Sequence, residues 1–213
     1  MRTDDLVDLL ATGIAPVKRG VPAQRFAISL PIAAIGATLL MIAVYGIRPD
    51  LAVVARTALF WEKLAFPLVI AIGALIGATR LARPGGRVAI GWPVMGAPVI
   101  LVWIAGLAIV AAVEPHDRLA VVLGQSWKSC PFNIVLLSLP GFAAIFWAIK
   151  GLAPTRLGLT GAVAGLLASA IGTVAYCFHC PEMSPAFWSV WYVLGMSLPA
   201  ALGAVLGPRL LRW

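Results

Sequence analysis

Residues 26–46 read FAISLPIAAIGATLLMIAVYG, a run without one charged side chain. The hydrocarbon core of a bilayer is crossed by roughly 20 helical residues, because in lipid each backbone N–H and C=O must be satisfied within the segment itself. The run is apolar all round and far too long for a strand of a membrane barrel, so it predicts a membrane-crossing helix. Five more stretches of this kind follow, near 60–82, 92–113, 131–149, 157–178 and 185–207. The whole chain of 213 residues is 62% hydrophobic and 11% charged, where a water-soluble domain carries about 25% charged residues. The expected architecture is therefore all-α: an integral membrane bundle of six transmembrane helices over residues 26–213, preceded by an arm over residues 1–25. The spans leave no room for a soluble catalytic domain. The first span follows a long mixed segment and lacks a small-x-small cleavage site, so it is expected to stay as an anchor rather than leave as a signal peptide.

The loops set the orientation. Eleven of the 16 basic residues fall in the arm, the even-numbered loops and the C-terminal tail, and five fall in the odd-numbered loops. Positive residues collect on the cytoplasmic side, so both termini are expected inside. The net charge of +8 is then a topology signal and a source of contact with anionic lipid. No basic helix with interleaved aromatics is present, which argues against direct nucleic-acid binding. Tryptophans mark the boundaries as an interfacial belt does: Trp61, Trp127, Trp188 and Trp191 towards the outside, Trp92, Trp147 and Trp213 towards the inside. Trp103 lies mid-span, where packing between helices is expected.

In the arm, Asp4 and Asp5 stand where negative charge favours a helix start. Leu6, Val7, Leu9 and Leu10 then form a short apolar stripe at helical spacing, ended by Gly13, Pro16 and Gly20-Val21-Pro22. A helix of eight to ten residues is marginal alone in water. It is expected to fold against the membrane surface or a partner protein. Small residues four apart (Gly73 and Gly77, Gly161 and Gly165, Gly203 and Gly207) let helix backbones approach closely. That pattern serves a compact bundle or a homodimer, and the spacing does not choose between them.

Chemistry concentrates in Cys130-Pro131 and Cys177-Phe178-His179-Cys180-Pro181, which the charge asymmetry places at the outer mouths of two spans. Thiols near an interface can be oxidised or bind soft metals. Cys130 is expected at the cap of the fourth span, where the helix dipole and Lys128 favour a thiolate. One use is a redox pair in which Cys130 and Cys180 tie the fourth span to the turn between the fifth and sixth. Another is a soft-metal site of Cys130, Cys177, His179 and Cys180, for which C-x-x-C with an internal histidine is suggestive. A static disulfide and simple packing are the plain alternatives. His116 beside Asp117 reads as a solvated loop histidine. Glu62 and Lys63, at the outer start of the second span, can pair with the Arg48/Asp50 loop, and snorkelling to the interface is the simpler expectation. No ionisable residue stands mid-span, as proton relays need. A phosphate-binding glycine loop, a Ser-His-Asp set and HExxH are all lacking. Catalysis and a bound cofactor are not expected.

Motifs along the whole chain carry a resemblance. They are Met1-Arg2-Thr3-Asp4-Asp5-Leu6, Arg48-Pro49-Asp50-Leu51, Phe60-Trp61 with Lys63, Ser126-Trp127 before Cys130-Pro131, Leu152-Ala153-Pro154-Thr155, His179-Cys180-Pro181-Glu182, Ser184-Pro185-Ala186-Phe187 and Gly207-Pro208-Arg209-Leu210. Together they resemble the NrsF family of bacterial inner-membrane proteins. The resemblance implies an anti-sigma factor for an extracytoplasmic-function sigma factor. It implies that the cytoplasmic arm holds that partner, here through Thr3, Asp4, Asp5, Leu6, Leu9 and Leu10. It also implies that Cys130 and Cys180 sense heavy-metal or oxidative stress. Cys177 departs from the family pattern and adds a ligand or an alternative disulfide partner. Two rival functions are a small transporter for a soft metal, with Met41, Met95 and Met196 as inner ligands, and a membrane thiol oxidoreductase. Three cysteines cannot make the two pairs that an oxidoreductase relay uses.

Overall fold

A computed structural model describes residues 2–12 and 20–212. Gly13, Pro16 and Trp213 lie outside the described residues. Within them the chain is all-helical, in the order α1 (Thr3–Ala11), α2 (Val21–Val44), α3 (Leu51–Val54), α4 (Ala58–Leu81), α5 (Gly91–Ala112), α6 (Arg118–Leu123), α7 (Cys130–Lys150), α8 (Leu157–Tyr176), α9 (Pro185–Phe187) and α10 (Val193–Leu210). A π-helical turn, Trp188–Tyr192, joins α9 to α10. Six helices are long and apolar enough to cross a membrane: α2, α4, α5, α7, α8 and the continuous segment Pro185–Leu210. They answer to the six expected spans. The first begins five residues early, because left-handed Gly20 (φ +103°) turns the chain and Pro22 suits the first helical turn.

Helix α8 is the hub. It packs against α10, α7, α4 and α2, and its small residues allow this. A Cβ added at Gly161 would overlap the Gly203 carbonyl, and one at Gly165 the Pro199 carbonyl. The glycine pairs at 161/165 and 203/207 therefore serve contact between α8 and α10 within one chain. Gly73 likewise admits α5, with Met95 N 2.8 Å from where its Cβ would stand. Hydroxyls inside the hub are satisfied locally: Thr173 donates to Ser169 O (2.7 Å), and Ser169 donates to Met196 O (3.0 Å).

Three connections, 45–57, 113–129 and 177–184, share one end of the bundle. Arg48 reaches Cys180, Trp191 reaches Val122 and Glu182 reaches Gln125. We call this the thiol end. At the opposite end Arg25 donates to Trp147 O and Ala148 O (both 3.4 Å), putting a cation on the carbonyl terminus of α7.

Candidate functional site

The last turn of α8 unwinds at Cys177. Its backbone N–H groups still find carbonyls (Cys180 N to Tyr176 O, 2.9 Å; His179 N to Tyr176 O, 3.0 Å), which closes Cys177–Cys180 into a tight turn. Two cations meet the outward carbonyls of that turn. Cys180 O accepts from Lys63 Nζ (2.7 Å) and from Arg48 Nη1 (3.1 Å), while the Arg48 backbone N–H donates to Phe178 O (3.1 Å). Arg48 also grips Asp50 with two parallel hydrogen bonds (Nε to Oδ1 2.7 Å, Nη2 to Oδ2 2.8 Å). The hydrogen bond from Arg48 holds the Asp50 carboxyl below the usual carboxylate range.

All three cysteines are free thiols and 0% exposed. Their expected place at an accessible interface is corrected here: Arg48 and Tyr192 close against Cys177 and Cys180, and Tyr176 against Cys130. Cys130 is the first residue of α7, and Ser129 holds the cap position assigned to Cys130 from the sequence. The Cys177 thiol contacts Lys63 O at 3.7 Å. The Tyr176 side chain adjoins Cys130 and Cys180, and that of Tyr192 adjoins Cys177 and Cys180. His179 lies between Tyr45 and Tyr176 with Nδ1 3.1 Å from Gly46 O. Tyr45 donates to Asn133 Oδ1 (2.9 Å), and Asn133 donates to the Tyr176 hydroxyl (3.3 Å). Among the described residues, no three His, Cys, Asp or Glu side chains converge as a metal ion would require. The structure thus gathers Cys130, Cys177 and Cys180 without assembling them and His179 into a metal-holding set.

Lys63 does not snorkel: it is 0% exposed. The sequence held a signal for this. Phe60, Lys63, Pro67, Ile70, Gly73, Ala74 and Gly77 recur at helical spacing and form the buried face of α4. Two tryptophans of the outer belt also turn inwards to bond. Trp188 is buried with Nε1 donating to Glu182 O (3.2 Å), and Trp191 donates to Val122 O (2.8 Å). Trp103, expected to pack between helices, instead keeps half its surface exposed on the side of the bundle, with only its Nε1 turned in to donate to Ser189 O (2.8 Å). His116 is solvated, 3.2 Å from Asp117.

The arm residues form a second candidate site. Thr3, Asp4, Asp5, Leu6, Leu9 and Leu10 all lie in the nine-residue α1, which buries none of its residues. At 100° per residue Asp4, Asp5 and Asp8 share one face, and Leu6, Val7, Leu9 and Leu10 share the other. The Asp5 carboxylate accepts from Arg2 N (3.1 Å), and Thr12 Oγ1 donates to Asp8 O (2.7 Å), so both ends of the helix are tied.

Six helices long and apolar enough to cross a membrane, packed around a buried polar cluster, are the architecture of an all-helical chain compatible with a polytopic membrane protein. Within that class, the chain belongs to the NrsF family, described as negative regulator of sigma F, whose pattern it matches over residues 10–213. It is 44% identical to the probable anti-sigma-F factor NrsF of Azospira oryzae and 35% identical to the anti-sigma-F factor NrsF of Caulobacter vibrioides, in both cases over the full length of both chains. No solved structure matches it.

Proposed function

We propose that this chain is a membrane-bound anti-sigma factor of the bacterial inner membrane. It sequesters an extracytoplasmic-function sigma factor on its cytoplasmic arm and releases it when the thiols at the outer end meet oxidants or thiophilic metals. The carrying observation is α1. It is a capped helix whose apolar face is wholly exposed while its opposite face carries three carboxylates. Each leucine buried on a partner is worth about 1.5–3 kcal/mol, enough to offset the marginal stability of so short a helix. The acidic face suits a basic, DNA-reading partner. Release by the thiols needs a bias of about 5.5 kcal/mol to move occupancy from 1:99 to 99:1. A disulfide can supply energy on this scale. A bond between Cys130 and Cys180, both free thiols here, would tie the start of α7 to the turn that follows α8.

Two measurements test the two halves. Co-purification of the sigma factor should be lost in the triple variant Leu6→Ala, Leu9→Ala, Leu10→Ala; undiminished capture defeats the arm. Cys130→Ser and Cys180→Ser should each alter the response of sigma-dependent transcription to oxidants and metals. An intact response in both defeats the sensor.

A further inference from the structure

Between α4 and α5 runs a groove of about 820 Å³, closed at the thiol end by Pro185 and Trp188. Its walls are apolar, with Phe66 and Val69 from α4 and Val94, Leu101 and Val102 from α5. Phe66, Val102 and Trp188 are buried at its base, and the Trp188 indole is fixed by its hydrogen bond to Glu182 O (3.2 Å). The groove is therefore formed before anything enters it, which lowers the cost of binding. Along α5 the lining extends from Ile90 to Ala105, about 22 Å at 1.5 Å per residue. Its volume falls within the ~300–1,000 Å³ common to small-molecule sites.

One charged side chain lines the groove, that of Glu62. It stands near the start of α4, next to Lys63 and so at the thiol end. The pairing with the Arg48/Asp50 loop that the sequence allows does not form. Arg48 is bound to Asp50, and among the described residues Glu62 has neither an ion pair nor a side-chain hydrogen bond. An acid within a membrane span pairs with another group or faces a polar cavity. Glu62 instead borders an apolar groove, so its partner has to arrive with the occupant.

The chemistry and the dimensions choose that occupant. A quinone presents carbonyl acceptors and needs donors, but Glu62 is an acceptor and the Trp188 N–H is committed to Glu182 O. A transmembrane helix about 10 Å across would fill about 1,700 Å³ over the same length, twice the space. An extended hydrocarbon chain is narrow and apolar throughout, and meets both limits. Its tail leaves one apolar phase for another, so the walls select little among lipids. Selection falls to the headgroup beside Glu62, whose carboxylate accepts a charge-assisted hydrogen bond from a primary ammonium.

We propose that the α4–α5 groove is a lipid site, which takes an acyl chain of a phospholipid from the leaflet at the thiol end, and that Glu62 selects headgroups bearing a primary ammonium, as in phosphatidylethanolamine. The site is separate from the thiols and from the arm, and it requires neither of the roles given to them above.

The full-length protein in mild detergent is incubated with equal amounts of phosphatidylethanolamine, phosphatidylcholine and phosphatidylglycerol of identical acyl chains, and native mass spectrometry counts the lipid retained. Phosphatidylcholine keeps the positive charge but has no N–H donor, and phosphatidylglycerol lacks the cation. The wild type should retain phosphatidylethanolamine about tenfold over either. Glu62→Gln should level the three. Ala97 lines the groove and is exposed, so Ala97→Trp fills it without a packed neighbour to displace; retention of all three should fall severalfold at unchanged Tm. Retention without headgroup preference in the wild type, a preference that survives Glu62→Gln, or retention unmoved by Ala97→Trp overturns the site. A dimer that excludes lipid and is broken by Ala97→Trp overturns it in favour of a second copy of the chain.

Discussion

Replacing Gly203 by alanine should open the α8–α10 contact. The new Cβ would overlap the Gly161 carbonyl oxygen and stand 2.8 Å from its carbon and 3.4 Å from Gly165 Cα. All three are backbone atoms, so no side chain can turn aside. Ordinary carbon contacts begin near 3.5 Å, so the helices must part by about 1 Å at their closest point. Overpacking of this kind costs about 1–3 kcal/mol, and alanine returns about 0.5–1 kcal/mol in helix propensity. Gly161→Ala meets the same contact from the other side, through the Gly203 carbonyl. One separation relieves both, so the double variant should lose less than the sum of the singles. Gly96→Ala in α5 is the control, because nothing lies within 4 Å of its added Cβ. A chain of this size shifts its Tm by about 2–4 °C per kcal/mol. The net loss is about 1 kcal/mol, so thermal unfolding in mild detergent should show Gly203→Ala falling by about 2–5 °C, and Gly96→Ala unchanged or slightly raised. Equal Tm values for Gly203→Ala and Gly96→Ala would refute close backbone contact between α8 and α10.

Two further outcomes follow from the thiol end. Glu182 Oε1 accepts from Gln125 N (2.6 Å), Ser126 N (3.1 Å) and Ser126 Oγ (3.3 Å), latching the α6–α7 connection over the cluster. Glu182→Ala should loosen that segment by about 2 kcal/mol, seen as roughly 30-fold faster tryptic cleavage at Lys128; an unchanged rate contradicts the latch. Asp50, with its carboxyl held low by Arg48, stabilises the fold above the ordinary carboxylate value near 4 and ceases to do so as pH falls through its depressed value. The Tm gap between wild type and Asp50→Asn should therefore be present at pH 7 and close in stronger acid. A gap that persists there contradicts the pairing.

The spans were legible because lipid imposes one rule on all of them: twenty apolar residues, helically bonded. The leucine stripe announced α1, whereas Gly20 and Pro22, read as the end of the arm, start the first span five residues ahead of the apolar run at Phe26. Four-residue glycine spacing foretold close helix approach, and the three-dimensional packing assigned it to α8 against α10. What the sequence hid depends on contacts remote along the chain. Arg48 and Lys63 read as surface cations because their acceptor is a main-chain carbonyl, that of Cys180, and a carbonyl has no residue type to recognise. The cysteines read as interfacial because they stand at the ends of spans, yet Arg48 and the π-helical turn with Tyr192, neither part of any periodic signal, close against the turn that holds Cys177 and Cys180. Trp188 and Trp191 look like belt residues until their indole N–H groups are seen to bond Glu182 and Val122.

Sidedness tests the account most directly. Asp117 lies in the exposed connection at the thiol end and Thr12 at the end of α1, so each can carry a single reporter thiol as Asp117→Cys or Thr12→Cys. An impermeant maleimide added to intact spheroplasts should label Asp117→Cys at once, and Thr12→Cys only after the membrane is opened. Labelling of both from outside, or of Thr12→Cys alone, would contradict an arm that faces the cell interior while the thiols face away from it.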